Sequence, residues 1–391
     1  MKRAVPKDVP RDEGDYDVTR YVPPHVTAIL WGRAAGRCEF AGCNRPVSWS
    51  LVTQRELNIA QRAHIRSFSR RGPRGRQGLS KELLNSASNL MLVCHQCHVD
   101  IDSGEGPRLY PSEMLIQMKR KHEERVELVT GIAADSSSHI LLYGSNIGDQ
   151  SPHLSFKQAA TAMMPGRFPA SRNPFMLQMS NVALSDVEQT FWANEDENLK
   201  RLFENRVREP LLELGVERHL SVFALAAQPL LVRLGTLLGD IAEVDVFQRH
   251  RAPQTWNWPD SAEPLKFEVV EPSNGSGTPA LLVDISGRVT EDRIYRVLGE
   301  GASIWRLTVA SPHNDILKSR DHLAAFRAAA RPLFSAIKEK HGQNTPLHVF
   351  LAAPVSVCVE LGRVRMPKAD MPWLLYDHHN VHGFKSVLNI A

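Results

Sequence analysis

Hydrophobic and polar positions alternate along this chain in blocks that predict a small, loop-rich module followed by a larger α/β region. Residues 27–37, "TAILWGRAAGR", have helical spacing and end in a glycine-bearing turn. Residues 56–65, "ELNIAQRAHI", mix β-branched and polar side chains ahead of a basic, glycine-rich loop, "SRRGPRGRQG". The segment "NSASNLMLVC" (85–94) runs from a polar turn into a short apolar strand. "PSEMLIQMKRKHEERVELVTGI" (111–132) predicts an amphipathic helix that Ser112 can cap, with Leu115, Met118, His122 and Val126 on one face. The polar run "AADSSSH" near 133–139 marks a domain boundary.

Beyond that boundary the pattern repeats. "HLSVFALAAQPLLVRLG" (219–235) aligns without gaps onto "PLHVFLAAPVSVCVELG" (346–362) at an offset of 127. Val222/Val349, Phe223/Phe350, Ala226/Ala353, Val232/Val359, Leu234/Leu361 and Gly235/Gly362 are identical pairs. Upstream, "NPFMLQMS" aligns with "TPALLVDIS" as a buried strand, and "VREPLLELG" with "AARPLFSAI" as a helix carrying Pro210 or Pro332. Apolar strands alternating with helices predict a parallel sheet covered on both faces. Two such halves, about 170–260 and 279–391, make a pseudo-symmetric pair with a cleft between them.

Composition adds bounds rather than detail. At 391 residues, 42% hydrophobic and 23% charged, the chain is globular and too long for one ordinary core. No apolar run approaches the ~18–20 residues of a membrane span, so no membrane partner is expected. Residues 1–26 read as a flexible, charged lead with no secretory signal, which predicts a cytoplasmic protein. Charge is uneven: residues 1–131 hold 21 Lys and Arg against 15 Asp and Glu, a net of +6, and the remainder is at −2. Residues 55–81 alone hold eight basic side chains and one acid. A field of that kind attracts phosphate backbones, although a charge run by itself is more often a solvated basic loop.

Four of the five cysteines fall in the first quarter as C-x4-C (Cys38, Cys43) and C-x2-C (Cys94, Cys97). The stretch "VCHQCHVD" also fits the C-x-x-C-H pattern of covalent haem, but haem is attached outside the cytoplasm, and that reading is rejected. Two thiolate pairs on turns match a closed, tetrahedral, structural Zn2+ site. His98 is then left for other chemistry, and His95 and His122 read as structural.

His64 in "RAHIR", Asn89 in "SASNL" and His98, framed by the two cysteine pairs, resemble the HNH endonuclease family in its zinc-knuckle form. The resemblance covers roughly residues 27–125. It implies a ββα-metal module (27–132 with its connecting helix) in which His64 is the general base and His98 ligates a catalytic Mg2+ or similar ion. It also implies that Asn89 either ligates that ion or fixes the loop presenting His64. A base activates water, and the cation stabilises charge on the phosphorane and leaving oxygen. A histidine, titrating near ~6.5 in its unperturbed state, suits that role. The chain departs from the family at Ala63, where many members have an acidic ligand, and at Ile101, where many have Lys. Asp100 or Asp102 could complete the metal shell. Arg66, Arg70, Arg71, Arg74 and Arg76 would grip the backbone of double-stranded DNA without reading bases.

"SVFALAAQPLLVRLGTLLGD", "VFQRHRAPQTWNW", "HVFLAAP" and "LLYD" resemble the SAVED domain, a fused pair of CARF-like Rossmannoid units, over 139–391. The resemblance implies binding of a cyclic oligonucleotide, in the first place a dinucleotide, and an anti-phage effector that degrades DNA once ligand binding drives homo-oligomer assembly. Ligands of open parallel sheets bind beyond the strands' carboxyl ends, here 179–181, 284–288, 309–315 and 352–356. Arg251, Trp256, Trp258, Ser286, His313, Lys318, Tyr376 and His378 are the candidates, as cations for phosphates and rings for bases. Two other readings compete: a restriction-type HNH nuclease with a DNA-reading second domain, and a zinc-stabilised DNA-binding regulator that cuts nothing.

Overall fold

The computed structural model describes residues 21–50, 52–67, 72–75, 79–148, 150–178, 185–213, 219–239, 241, 243–379 and 382–391. The candidate strand end at 179–181 and Arg70, Arg71 and Arg76 lie outside them. The chain divides into two compact units after Ile132.

In the first unit, α1 (Pro24–Ala34) starts on a proline whose missing N–H costs nothing at that position. It stops where Ala35 and Gly36 adopt left-handed φ values of 49° and 62°, which turns the chain into the first cysteine pair. A minimal hairpin of β1 (Trp49–Ser50) and β2 (Arg55–Glu56) follows. Next, β3 (Ala60–His64) pairs antiparallel with β4 (Leu90–Cys94), setting Ala60 opposite Cys94 and His64 opposite Leu90. The short α2 (Lys81–Leu84) lies between them in sequence. Every residue of β4 is buried, and α3 (His95–Asp102) begins immediately after it. The unit closes with α4 (Gly106–Leu109) and the long α5 (Ser112–Thr130).

The helix at α5 differs from its sequence reading in two ways. Ser112 is its first residue rather than its cap, and Pro111 precedes it with no side-chain cap bond. Its buried face also includes a lysine. Lys119 is only 5% exposed, 3.6 Å from the buried Glu39 carboxylate and bonded to Glu123 at 2.5 Å. His122 donates from Nε2 to the Ala34 carbonyl (3.1 Å) and accepts at Nδ1 from Arg125 (3.1 Å). Those bonds fasten α5 to α1 and to the cysteine knuckle, and confirm His122 as structural.

The second unit holds two sheets. In the first, β5 (Ser137–Gly144) is followed by α6 (Phe156–Met163), β6 (Phe168–Pro169), β7 (Phe175–Met176), α7 (Gln189–Phe203), α8 (Glu209–Glu213), β8 (Leu220–Leu225), α9 (Gln228–Leu238) and β9 (Val244–Val246). The strands run parallel in the order β6-β5-β8-β9, with β7 also on β5. A π-turn at Glu204–Arg208 joins α7 to α8, just before Pro210, where a regular helix would lose a hydrogen bond.

The second sheet comprises β10 (Phe267–Val270), β11 (Pro279–Asp284), β12 (Ser303–Val309), β13 (Leu347–Ala352), β14 (Trp373–His379) and β15 (Gly383–Ile390), ordered β10-β12-β11-β13-β14-β15. Its inner four strands are parallel and its edge strands antiparallel. Helices α10 (Asp292–Leu298), α11 (Arg320–His341) and α12 (Val355–Val364) connect them, with Pro332 inside α11.

The repeat at 219–235 and 346–362 is β8–α9 and β13–α12. Upstream, the sequence alignment is corrected. The partner of the buried central strand β11 is β5, fully buried over eight residues, whereas 175–176 form only the short β7 beside it. The first half therefore begins at Ser137.

The halves meet where α9 crosses α12. A Cβ on Gly235 would stand 2.0 Å from the Val359 carbonyl oxygen, and one on Gly362 would stand 2.1 Å from that of Val232. Residues 232/359 and 235/362 are equivalent in the repeat, so the contact is reciprocal, as across a two-fold axis. Only hydrogen fits there. Gly235→Ala is expected to destabilise the second unit by about 1–3 kcal/mol through overpacking against backbone. Gly301→Ala, whose Cβ meets nothing within 4 Å, should leave the melting temperature within about a degree of wild type. Thermal denaturation of the two variants checks this.

Candidate functional site

Three constellations stand out. In the first unit, the Sγ atoms of Cys38, Cys43, Cys94 and Cys97 all lie within 4.8 Å of one another. Cys43 and Cys94 are 3.9 Å apart, close to the ~3.8 Å expected for sulfurs ~2.3 Å from one tetrahedral centre. The turn after α1 supplies the first pair, and the junction of β4 with α3 supplies the second. The Cys94 backbone N–H also points at Cys38 Sγ (3.3 Å).

Burial pushes the Cys38 thiol up to about 12 and that of Cys97 higher still, with their neighbouring sulfurs adding to it. Burial acts in the same sense on Cys94, but hydrogen bonds from its neighbours outweigh it and hold that thiol below its usual range. Several thiolates packed this closely need a cation, and four sulfurs with no open position suit a closed, structural metal ion. Cys97→Ser is expected to remove bound metal, counted by elemental analysis. It should also unfold the first unit at lower temperature while the second keeps its melting transition.

Beside this cluster, His64, Ser67, Arg74, His98 and Asp102 line one cleft of about 430 Å³. His64 is the last residue of β3, with Nε2 2.9 Å from Asn85 Oδ1. His98, on α3, holds Nε2 3.5 Å from Asp102 Oδ2. Asn89 is 5% exposed and braces the turn after His64. Its Oδ1 accepts from the Arg66 N–H (2.9 Å), and its Nδ2 donates to the carbonyls of Arg66 (2.9 Å) and Leu84 (3.0 Å). Both ends of its amide are engaged in holding that turn.

The two alternatives for an additional carboxylate separate in the same way. Asp102 lines the cleft, while exposed Asp100 accepts from Gln96 on the helix surface (3.0 Å).

The basic loop divides as well. Arg74 has a side chain 3% exposed. It donates from Nε to the Ile65 carbonyl (2.7 Å) and from Nη1 to that of Ile101 (2.9 Å), and pairs with Asp102 through Nη2. It ties β3 to α3 and offers no guanidinium to a phosphate. Arg66 is half-buried, 3.7 Å from Glu113. Exposed Arg62, missed in the sequence reading, lines the cleft and donates to Thr27 Oγ1 (3.0 Å).

In the second unit a cavity of about 1010 Å³ opens at the carboxyl ends of the parallel strands. Its floor is built twice, from residues 225–228 and from residues 352–355, the equivalent positions of the repeat. The first turns of α9 and α12 lie there; the Leu230 N–H is bonded to the Ala227 carbonyl (3.0 Å) and that of Ser356 to Gln248 Oε1 (3.2 Å).

Of the predicted ligand residues, Arg251, Ser286 and His378 line this cavity. The Arg251 backbone N–H donates to Asp315 (2.9 Å). The others sit elsewhere. Trp256 is buried edge-on against Phe223 at 5.3 Å, and Tyr376 is buried and stacked on Phe350 at 4.3 Å, so both rings belong to the core. Trp258 packs edge-on against His250 at 5.5 Å. Exposed His313 folds back on the Ser311 carbonyl (2.9 Å). Lys318 is outside the cavity lining, its backbone N–H donating to His322 Nδ1 (3.2 Å).

Arg249, His250, Gln248 and Asp377 were missed and do line the cavity. The signal for three of them was the run "QRHR" directly after a buried strand. Burial raises Asp377 to about 7, with Asp186 adding to the effect.

Residues 202–390 match the SAVED family model, the SMODS-associated and fused to various effectors sensor domain. Among solved structures, the chain resembles the Acinetobacter baumannii Cap4 SAVED/CARF-domain containing receptor with the cyclic trinucleotide 3′3′3′-cAAA. Identity is 11% and the TM-score 0.42, over 75% of this chain and 64% of that one. The Moraxella osloensis Cap4 receptor gives 12% and 0.39, over 72% and 60%. The chain thus spans less than two thirds of the length of these structures. No curated protein matches. Among the described residues no helix is long and apolar enough to cross a membrane.

Proposed function

We propose that the chain is a metal-dependent HNH-type DNA endonuclease whose SAVED domain senses a cyclic oligonucleotide, serving in anti-phage defence. The observation that carries the nuclease part is the cleft in which β3 and α3 bring His64 and His98 together, beside the four-cysteine cluster. His64 takes a proton from the attacking water. Asn89 holds the turn behind it, and Arg74 fixes the end of β3 against α3. His98 and Asp102 would hold Mg2+, which takes few protein ligands and keeps waters. When bound, that ion supplies charge stabilisation for the phosphorane and leaving oxygen. The cysteine cluster holds Zn2+. Arg62 and Arg66 face the DNA backbone.

The sensing part rests on the SAVED match and the cavity with its paired helix N-termini. A cyclic oligonucleotide, here a cyclic dinucleotide, fills that cavity, and copies of the chain then assemble on double-stranded DNA. Helix α5, fastened to the cysteine knuckle through Lys119 and His122, is the element through which the change reaches the cleft.

His64→Ala is expected to slow plasmid cleavage by about 10²–10⁴-fold, the range for loss of a general base, with DNA binding by gel shift unchanged. Undiminished cutting would remove His64 from the chemistry. If neither wild type nor variant cuts under any condition, the chain is a DNA-binding regulator. Sedimentation velocity with and without the activating cyclic nucleotide should show a rise in mass. An unchanged mass alongside ligand-switched cleavage would refute assembly.

A further inference from the structure

Among the described residues, two side chains in the wall of the sensing cavity have buried polar atoms without a partner. Both ring nitrogens of His250 and Nη1 of Arg249 are buried without a hydrogen bond among the described residues. Both residues line the cavity, and His250 is 3% exposed. A buried polar group without a partner is destabilising, so groups left in this state in a native fold call for an occupant.

Their surroundings define its chemistry. Arg249 sits with its guanidinium 5.6 Å from the Trp256 ring centre, and Trp258 packs on the His250 imidazole, so both heads are held in place by aromatic walls. The charged groups facing His250 are Lys318, Asp315 and Arg249. Burial lowers its proton affinity, Lys318 and Arg249 lower it further, and Asp315 opposes them. Asp315 is itself engaged by the backbone N–H groups of Arg251 and Ala252 (2.9 and 3.2 Å). The free imidazole is therefore neutral at pH 7, in a corner with spare positive charge beside it.

We propose that Arg249 and His250 form the phosphate-binding edge of the cavity, and that His250 takes a proton from solvent when a ligand phosphodiester docks against it. This rests on the sensing role proposed above. The anion offers the ring's added N–H an acceptor and offsets the repulsion of Lys318 and Arg249, so protonation becomes favourable only in the complex. Binding then strengthens as pH falls. The dependence is present between the bound-state and free-state proton affinities of His250 and disappears below the latter, where the ring is charged in both states.

The test is calorimetry on the full chain with cyclic di-AMP, cyclic di-GMP, 3′3′-cGAMP, 3′2′-cGAMP and cyclic tri-AMP. It is run from pH 6 to 8 in buffers of differing ionisation enthalpy. Wild type should take up close to one proton with the member that binds. His250→Gln keeps hydrogen-bonding capacity but cannot titrate. It should bind about ten-fold more weakly at pH 6, the loss of one charged hydrogen bond, with no proton uptake. Arg249→Gln should weaken binding at every pH and retain the uptake, which guards against a folding defect specific to position 250. A His250→Gln variant with wild-type affinity and undiminished proton uptake overturns the proposal while leaving the sensing role intact. A wild type that binds no member of the panel overturns both.

Discussion

The crossing of α9 and α12 is the constraint on which the second unit depends. At Gly235 and Gly362 backbone meets backbone, with no room for a Cβ on either helix. That close approach determines how near the two sheets' helices can lie, and so how near the ends of β8 and β13 come to each other. Residues 225–228 and 352–355 form one floor because the helices that follow them are in contact a few turns on. Spread the helices by a methyl group on each side and the two helix N-termini no longer address a common space. The glycines are identical across the repeat because one physical requirement acts on both.

The first unit solves a different problem. Its buried apolar set is small, built around Ala34, Val47, Ile65, Met91, Leu92, Val93, Ile101 and Leu115 with the cysteines among them. Much of its cross-bracing is polar: Glu39 with Lys119, Asn89 with the turn at Arg66, Arg74 with the end of α3. Burial pushes the Glu39 carboxyl up to about 7 despite its lysine partner, which shows how little of the surrounding medium is water. A four-sulfur cluster in such a module supplies fixed geometry where apolar packing alone is thin. His64 and His98 inherit that geometry, since His64 ends the strand paired with β4 and His98 directly follows Cys97 on α3.

Sequence carried much of this, unevenly. The cysteine pairs, the repeat and the apolar strand 90–94 were legible because each imposes a local pattern: fixed spacing, identity at one offset, uninterrupted burial. The central strand β5 was missed because "SSHILLYG" opens in serines that read as a linker, yet Ser138 and Ser221 satisfy each other's hydroxyls inside the sheet (2.8 Å). Arg74 was misjudged for a related reason. Charge along a chain suggests solvent or a polyanion, and only the fold reveals the carbonyls and carboxylates that take a cation into the interior. Trp256 and Tyr376 were read as ring faces for a base, but large aromatics are more often wanted by a core, and both lie in one.

The repeat also shows where the halves have parted. The floor of the cavity keeps its apolar, helix-starting character in both copies, whereas the walls do not. By strand register Val244 stands beside Leu220 as Trp373 stands beside Leu347, which brings Gln248 and Arg249 into correspondence with Asp377 and His378. One side thus presents a guanidinium and an imidazole, the other an imidazole and a carboxyl whose proton affinity is raised by burial and by Asp186. A ligand spanning the floor would meet a cationic corner at one end and a carboxyl of raised proton affinity at the other. Even a ligand with two equivalent phosphates must then use them differently. The pseudo-two-fold axis builds the space, and the departures from it give that space a direction.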